Sequence, residues 1–241
     1  MIQIKNNAAA TFLMVLTAAC LSSCLGRIRG NGDMTTQQRQ VAPFHEITLY
    51  GSMNVQVTRG SSRPVEILAE SNLMPYIETE VVGDRLEIKT KPGIWLDPEK
   101  EITVHVTADE IREVDLAGSG NITGQNQLED TGSIRFRLTG SGDLTFNLNC
   151  PVADADIAGS GEMVLSGQTR DLMVSITGSG DFHGSGLQSE QAEARILGSG
   201  NAEVNCSMLL KARIFGSGDV DYRGDPRTDV QVTGSGSVNH K

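Results

Sequence analysis

The sequence lacks most of what would mark an enzyme or a nucleic-acid binder. Basic residues are in deficit, 20 Lys and Arg against 30 Asp and Glu, for a net charge of −10. An acidic surface repels phosphates, so nucleic acid is excluded as a partner. The four histidines, His45, His105, His183 and His240, are scattered without metal-ligand spacing. No nucleophile elbow or phosphate loop occurs. Aromatic residues make up 4% of the chain, with Trp95 the only tryptophan. The apolar run Ala8 to Ala19 is too short to span a membrane. With no convergent constellation of reactive groups, no catalytic residue is nominated, no cofactor is implied and a noncatalytic protein is expected.

Glycine is plentiful, 27 of 241 residues, and it is phased. Gly-Ser-Gly recurs with first glycines at Gly118, Gly140, Gly159, Gly178, Gly198, Gly216 and Gly234, and second glycines at Gly120, Gly142, Gly161, Gly180, Gly200, Gly218 and Gly236. By subtraction the spacings are 22, 19, 19, 20, 18 and 18 residues. A further copy at Gly184 is out of phase. A period near twenty marks a solenoid whose units cover one another's apolar faces. Two residues before each first glycine stand Leu116, Leu138, Ile157, Ile176, Ile196, Ile214 and Val232. Four before stand Val114, Phe136, Ala155, Val174, Ala194, Ala212 and Val230, with polar residues between. Period-two alternation predicts strands with one buried face. Each unit thus reads strand, Gly-Ser-Gly turn, strand.

Matching positions down successive units predict parallel, in-register stacking. The column Glu113, Arg135, Asp154 brings opposite charges together, as does Asp115, Arg137, Asp156, whereas Arg195 falls beside Arg213. Glycine suits the corner because it reaches positive φ and has no Cβ to meet the coil beside it; the serines should form a hydroxyl ladder. The expected fold is all-β, a single-stranded parallel β-helix-like solenoid with Gly-Ser-Gly corner turns, right-handed by the general rule for crossovers.

Residues 1–23 read as a lipoprotein signal peptide, with Lys5 ahead of the apolar run and Leu21-Ser22-Ser23-Cys24 as the cleavage and lipidation box. Cys24 is the expected lipid anchor and Cys20 a poorer candidate. Cleavage removes one lysine and no acid, leaving −11. Residues 24–40 read as a flexible tether and 41–241 as the solenoid, with irregular coils over 41–113 and regular repeats over 114–241. Gly51-Ser52 is a degenerate corner, Gly83-Asp84 a hairpin turn, Asn72 to Ile77 a short helix or irregular piece, and 41–113 a candidate N-terminal cap. Cys150 and Cys206 belong to coils three steps apart, ~14 Å at ~4.8 Å per step, so both are expected as buried free thiols.

Three further motifs bear on function. The column after the corners holds three consecutive acids, Asp143, Glu162 and Asp181, a weak calcium candidate whose simpler role is capping the turn. Arg223-Gly224-Asp225 matches an integrin-recognition tripeptide, but a glycine corner accounts for it. Asp115, Arg137 and Asp156 in a groove would be the residues of a carbohydrate-active enzyme, but charge pairing accounts for them.

The block from Phe44 through Gly51-Ser52 to Gly60, the segment Glu70 to Ile88, and the Gly-Ser-Gly series together resemble one bacterial envelope family, described as putative auto-transporter adhesin, head GIN domain, over roughly residues 35–241. The resemblance implies a β-helix-like superhelix similar to pectin lyases without their catalytic residues, and an adhesion-type role. The chain has no transporter barrel, so a lipid anchor would replace autotransport. The expected protein is an exported outer-membrane lipoprotein, on the periplasmic face or the cell surface, that binds a glycan or an envelope protein along its stacked strands. The competing reading is a pectin-lyase-like carbohydrate-active enzyme working in a groove along the solenoid. The sequence leaves the oligomeric state open.

Overall fold

The structure is a computed structural model that describes residues 26–241. The expected signal segment and Cys24 lie outside the described residues. Among the described residues no helix is long and apolar enough to cross a membrane.

The alternation of each repeat is interrupted once, and that interruption bends it into a coil. Over residues 143–159, Leu144, Phe146, Leu148 and Cys150 are buried, and so are Ala153, Ala155 and Ile157. The step is two within each run but three from Cys150 to Ala153. A one-residue slip swaps the faces of a strand. A chain that turns at Pro151–Val152 therefore keeps its apolar side inward. Each coil has two arms and two corners, one at Gly-Ser-Gly and one opposite it, and the aliphatic rows of both arms fill the spine between them.

In the strands that follow, β1 (Arg27–Arg29), β2 (Met34–Arg39), β3 (Glu46–Gly51), β4 (Asn54–Arg59), β5 (Val65–Glu70), β6 (Ile77–Val82), β7 (Arg85–Thr90), β8 (Trp95–Asp97) and β9 (Thr103–Ala108) form the N-terminal part. The repeats are β10 (Glu113–Gly118), β11 (Asn121–Glu129), β12 (Ser133–Gly140), β13 (Asp143–Gly159), β14 (Glu162–Gly178), β15 (Asp181–Gly198), β16 (Ala202–Gly216), β17 (Val220–Arg223), β18 (Arg227–Gly234) and β19 (Val238–His240). Neighbouring repeats pair in parallel with each first glycine opposite the next, from Gly51↔Gly118 to Gly216↔Gly234. The expected stacking of corners is thus the observed one.

The two glycines of a corner are needed for different reasons. Gly159 has φ 131°, and a Cβ there would lie 2.2 Å from the Gly140 carbonyl oxygen. Gly142 has no such φ, yet its Cβ would lie 2.0 Å from the Gly120 oxygen. The first glycine supplies the turn and the close approach; the second supplies only the close approach. The corner serines differ from expectation. Their backbone N–H groups donate to the glycine carbonyl one coil below, as Ser160 to Gly140 at 2.9 Å and Ser179 to Gly159 at 2.8 Å. Their hydroxyls are exposed and make no hydrogen bond among the described residues, so the ladder at this edge is one of backbone. The out-of-phase Gly184 is no corner: the register between β15 and β16 shifts between Gly184 and Gln188, which absorbs the longer repeat as a bulge.

Chain order and spatial order part company at the N-terminus. The coil β3–β4, turning at Gly51-Ser52, lies between β10–β11 on one side and β7 and β9 on the other. The chain lays one coil, places β7 and β9 beneath it, then crosses back to begin the repeats above. β6 then pairs antiparallel with β7 through the expected Gly83-Asp84 turn, β5 antiparallel with β9, and β2 antiparallel with β5. These antiparallel strands cover that end, with Leu73, Met74 and Ile77 buried around the 3-10 turn Met74–Tyr76. Cys150 and Cys206 are both buried and free, as expected from three intervening steps.

The flexible tether expected over residues 24–40 is corrected here. β1 pairs with β8 and β2 with β5 along its full length. Glycine and polar residues are the composition of a loose linker. Instead the Thr-Thr-Gln-Gln run of β2 is a polar outer strand, and Gly30 makes room for the buried Glu70, whose carboxylate a Cβ would strike.

Glycine files of this kind make a specific expectation. Gly51→Ala and Gly159→Ala both place a methyl at positive φ, but nothing lies within 4 Å of a Cβ on Gly51. Gly51→Ala should cost about 1–2 kcal/mol in a urea melt, the conformational penalty alone, and Gly159→Ala at least about twice as much. Equal losses would show that the corners do not press on one another.

Candidate functional site

A cleft opens where the file of corners ends. Above the β3–β4 corner every coil turns on Gly-Ser-Gly. Below it, β7 ends at Thr90 and β9 begins at Thr103, and the connection swings outward instead of turning tightly. The space left beneath Gly51-Ser52 is a recess of about 570 Å³. Tyr50 and Trp95 stand at it, 41% and 71% exposed, while Met53 and Ile102 are buried at its base. Polar groups on its rim include Asn54, Lys89, Lys100 and Glu101. Asn54 donates to Glu101 at 3.2 Å and accepts from Asn121 at 3.1 Å. Lys89 is held by Glu87 at 2.7 Å, a hydrogen bond that keeps its ammonium above the usual lysine range. Large exposed aromatic area beside a few oriented polar groups is the make-up of a ligand site.

The loop that carries Trp95 is clamped by two strands, β1 and β5. β1 holds it by the backbone, Trp95 N–H to the Gly26 carbonyl at 3.0 Å and Gly30 N–H to the Asp97 carbonyl at 2.9 Å. Ion pairs Arg27–Asp97 and Arg29–Glu99, both at 2.8 Å, add to this. Glu70, fully buried, accepts from the backbone N–H groups of Gly32 and of Glu99, the latter at 2.9 Å. Hydrogen bonding of this kind is what allows a carboxylate to sit inside. The segment expected as a tether therefore positions the aromatic site. The sequence marks Trp95 only as the lone tryptophan. Glu70, paired 29 residues away, carried no local signal.

A second depression, about 950 Å³, lies along the opposite corners and is lined by charged groups such as Arg59, Glu110, Glu129, Asp130 and Arg170. It is larger, but wide and without aromatics, and several of its charges already pair: Arg59–Glu129 at 3.0 Å, Arg112–Glu110 at 2.7 Å and Arg170–Asp171 at 2.8 Å. Cys150 also lines it, with its thiol pushed up by burial and bonded to the Val152 carbonyl at 3.1 Å. A neutral, donating thiol is a poor nucleophile. The aromatic recess is the better candidate.

The columns read from the sequence are real contacts. Glu113 is met by Arg85, Arg137 and Arg135 at 2.9, 3.1 and 3.6 Å, and Arg135 reaches Asp154 at 3.1 Å. Arg195 and Arg213 are register partners as anticipated, and each turns to a carboxylate, Glu193 at 3.6 Å and Asp229 at 2.7 Å. Asp143, Glu162 and Asp181 stack in consecutive register. Among the described residues no group of three or more His, Cys, Asp or Glu is placed to hold a metal ion. Asp181 instead accepts from the backbone N–H of Asn201 at 2.9 Å, and Asp219 from that of Ser237 at 2.8 Å, so the caps run between coils. Gly224 of Arg223-Gly224-Asp225 is a corner at φ 94° over the Cys206 carbonyl.

Fold and recess together define a β-solenoid with a ligand-sized aromatic cleft at its N-terminal end. The chain belongs to the family described as putative auto-transporter adhesin, head GIN domain, whose model matches residues 43–226. Its fold is that of a crystal structure of a putative adhesin from Bacteroides fragilis, at TM-score 0.81 and 19% identity, covering 89% of this chain and all of that one. A putative lipid binding protein from Parabacteroides distasonis matches at TM-score 0.71 and 25% identity, over 89% of this chain and 99% of its own. A putative adhesin from Parabacteroides merdae matches at 0.71 and 22%, over 90% and 99%. No curated protein matches the chain.

The charged face carries two acids that burial disfavours, Asp115 and Asp156. Burial pushes the Asp115 carboxyl above its ordinary range, against the pull of Arg85 and Arg137. Its register partner Thr48 is fully buried with its hydroxyl unbonded. A carboxyl raised in the folded state binds its proton more tightly there, so ionising it costs stability as pH rises past the unfolded value near 4. Asp115→Asn should raise the Tm by about 1–3 °C at pH 7. The gain should vanish at about pH 3, where both states are protonated. A lower Tm for the variant at pH 7 would mean the ion pairs outweigh burial.

Proposed function

We propose that this chain is a noncatalytic, lipid-anchored adhesin-like protein of the bacterial envelope that binds glycan in the cleft between Tyr50 and Trp95. Membership of an adhesin family supports the adhesive role. The observation that carries the ligand class is the exposed pair of aromatic rings over a recess with amide, ammonium and carboxylate groups on its rim. A pyranose ring has apolar C–H faces that stack on an aromatic ring and equatorial hydroxyls that need fixed polar partners. Asn54 and Glu101, already bonded to each other, are oriented to supply those partners. The paired charges of the long faces support a binding surface over a catalytic groove.

Lipid on Cys24 would tether the N-terminal end. Labelled palmitate should be incorporated by the full chain and by Cys20→Ala, and lost in Cys24→Ala; retention in Cys24→Ala would remove the anchor.

Because Trp95 is the only tryptophan, its emission reports on the cleft directly. Titration with cellohexaose, mannohexaose and chitohexaose should shift its emission saturably for at least one sugar, and Tyr50→Ala should weaken that binding about tenfold or more. No response to any sugar, with a saturable response to palmitate, would replace glycan by lipid as the ligand. Release of shorter sugars during the titration would overturn the noncatalytic reading.

A further inference from the structure

The two ends of the stack are finished differently. At the N-terminal end, antiparallel β6, β5 and β2 cover the last parallel strands, and the outermost β2 reads Met-Thr-Thr-Gln-Gln-Arg. At the other end β18 pairs only with β16, and β19 only with β17. Among the described residues nothing lies on their far side. Val230 and Val232 continue the interior rows, opposite the fully buried Ala212 and Ile214, yet they are 46% and 38% exposed. Phe215 and Leu197, exposed side by side at the neighbouring corners, extend the apolar area. An open strand edge above an open apolar row is a surface that natural sheets normally protect.

We propose that this terminal coil is covered by a second copy of the chain, coil end to coil end about a two-fold axis, with β18 of one protomer antiparallel to β18 of its partner. A two-fold axis perpendicular to both the stack and its strands reverses strand direction, so the two free edges meet as an antiparallel pair whose N–H and C=O groups satisfy each other. A register centred on a residue preserves the period of two. Centring it on Val230 sets Val230 against its own copy and Thr228 against Val232, which keeps the aliphatic faces on one side. Charge allows the contact. The chain carries −10, but β18, β19 and the following Lys241 contribute only Arg227, Asp229 and Lys241. The acidic bodies therefore meet at a face without excess acid. Size also fits. An eight-residue arm is ~26 Å long, and two sheets ~10 Å apart with their outer side chains make a face ~20 Å across. That is about 500 Å² per protomer and ~1,000 Å² in all, at the lower bound of a specific interface. The dimer is accordingly weak and concentration-dependent. Its N-terminal ends lie at opposite ends of a doubled solenoid, which suits two facing surfaces if each copy is anchored as proposed above; the dimer itself does not depend on that anchor.

Sedimentation velocity of the full chain in detergent, over roughly three decades of concentration around the micromolar range, should show reversible monomer–dimer exchange. Val230→Lys and Val230→Glu should each weaken it at least about tenfold, and an equal mixture of the two should restore it, because unlike charges then meet across the axis. Amide exchange in β18 of the unchanged chain should slow as concentration rises, a readout that needs no variant. A chain that stays monomeric, variants that associate like the parent, a mixture that does not recover, or β18 exchange independent of concentration would each overturn the proposal.

Discussion

Direct contact between backbones at successive corners is the constraint on which this structure depends. A glycine carbonyl accepts the N–H of the next serine at 2.8 to 3.0 Å, and any Cβ on the glycine above would fall on that same carbonyl. The coils can come to hydrogen-bonding distance at this edge only because nothing protrudes from it. Once the corners are in file, register follows for both arms, since each residue is counted from the same glycine. The interior rows of Val, Ile, Leu, Phe and Ala then align, and so do the outer columns of charge.

Those outer columns carry less energy than their number implies, because most of the paired groups are partly exposed. Their geometry still matters. Glu113 gathers three arginines because parallel stacking leaves the residues above and below it within reach. Where the stack sets Arg195 beside Arg213, each side chain turns to an acid, so like charge in a column is relieved sideways. Asp181 and Asp219 show the same economy in another form: a side-chain oxygen on one coil caps the backbone of the next.

The recess and the bare end both arise where the repeating contact stops. Beneath Gly51 there is no further tight corner, so the chain between β7 and β9 bows outward and leaves room under the last one. That bowed loop would be loose on its own. It is held by Glu70 from one strand and by Arg27 and Arg29 from another, which puts Trp95 in a fixed place although it is mostly exposed. At the opposite end Val230 and Val232 occupy interior positions, and among the described residues no coil lies above them. An assembly held by nearest-neighbour contacts concentrates its unsatisfied surface at its ends.

What was legible in the sequence follows from the same physics. The period of the glycines, the strands on either side, the in-register columns, the burial of Cys150 and Cys206 and the turn at Gly83-Asp84 are local or repeat at a fixed spacing, so the chain by itself determined them. The order of the first coils, the paired state of residues 27–39 and the cleft were decided by tertiary structure. They depend on single contacts between residues far apart in the chain, Glu70 with Gly32 and Glu99, or β3 slotted between β7 and β10. Such contacts leave no period to read. Gly30 looks like a linker glycine until the carboxylate that needs its space is in view, because composition cannot distinguish freedom to move from room for a neighbour.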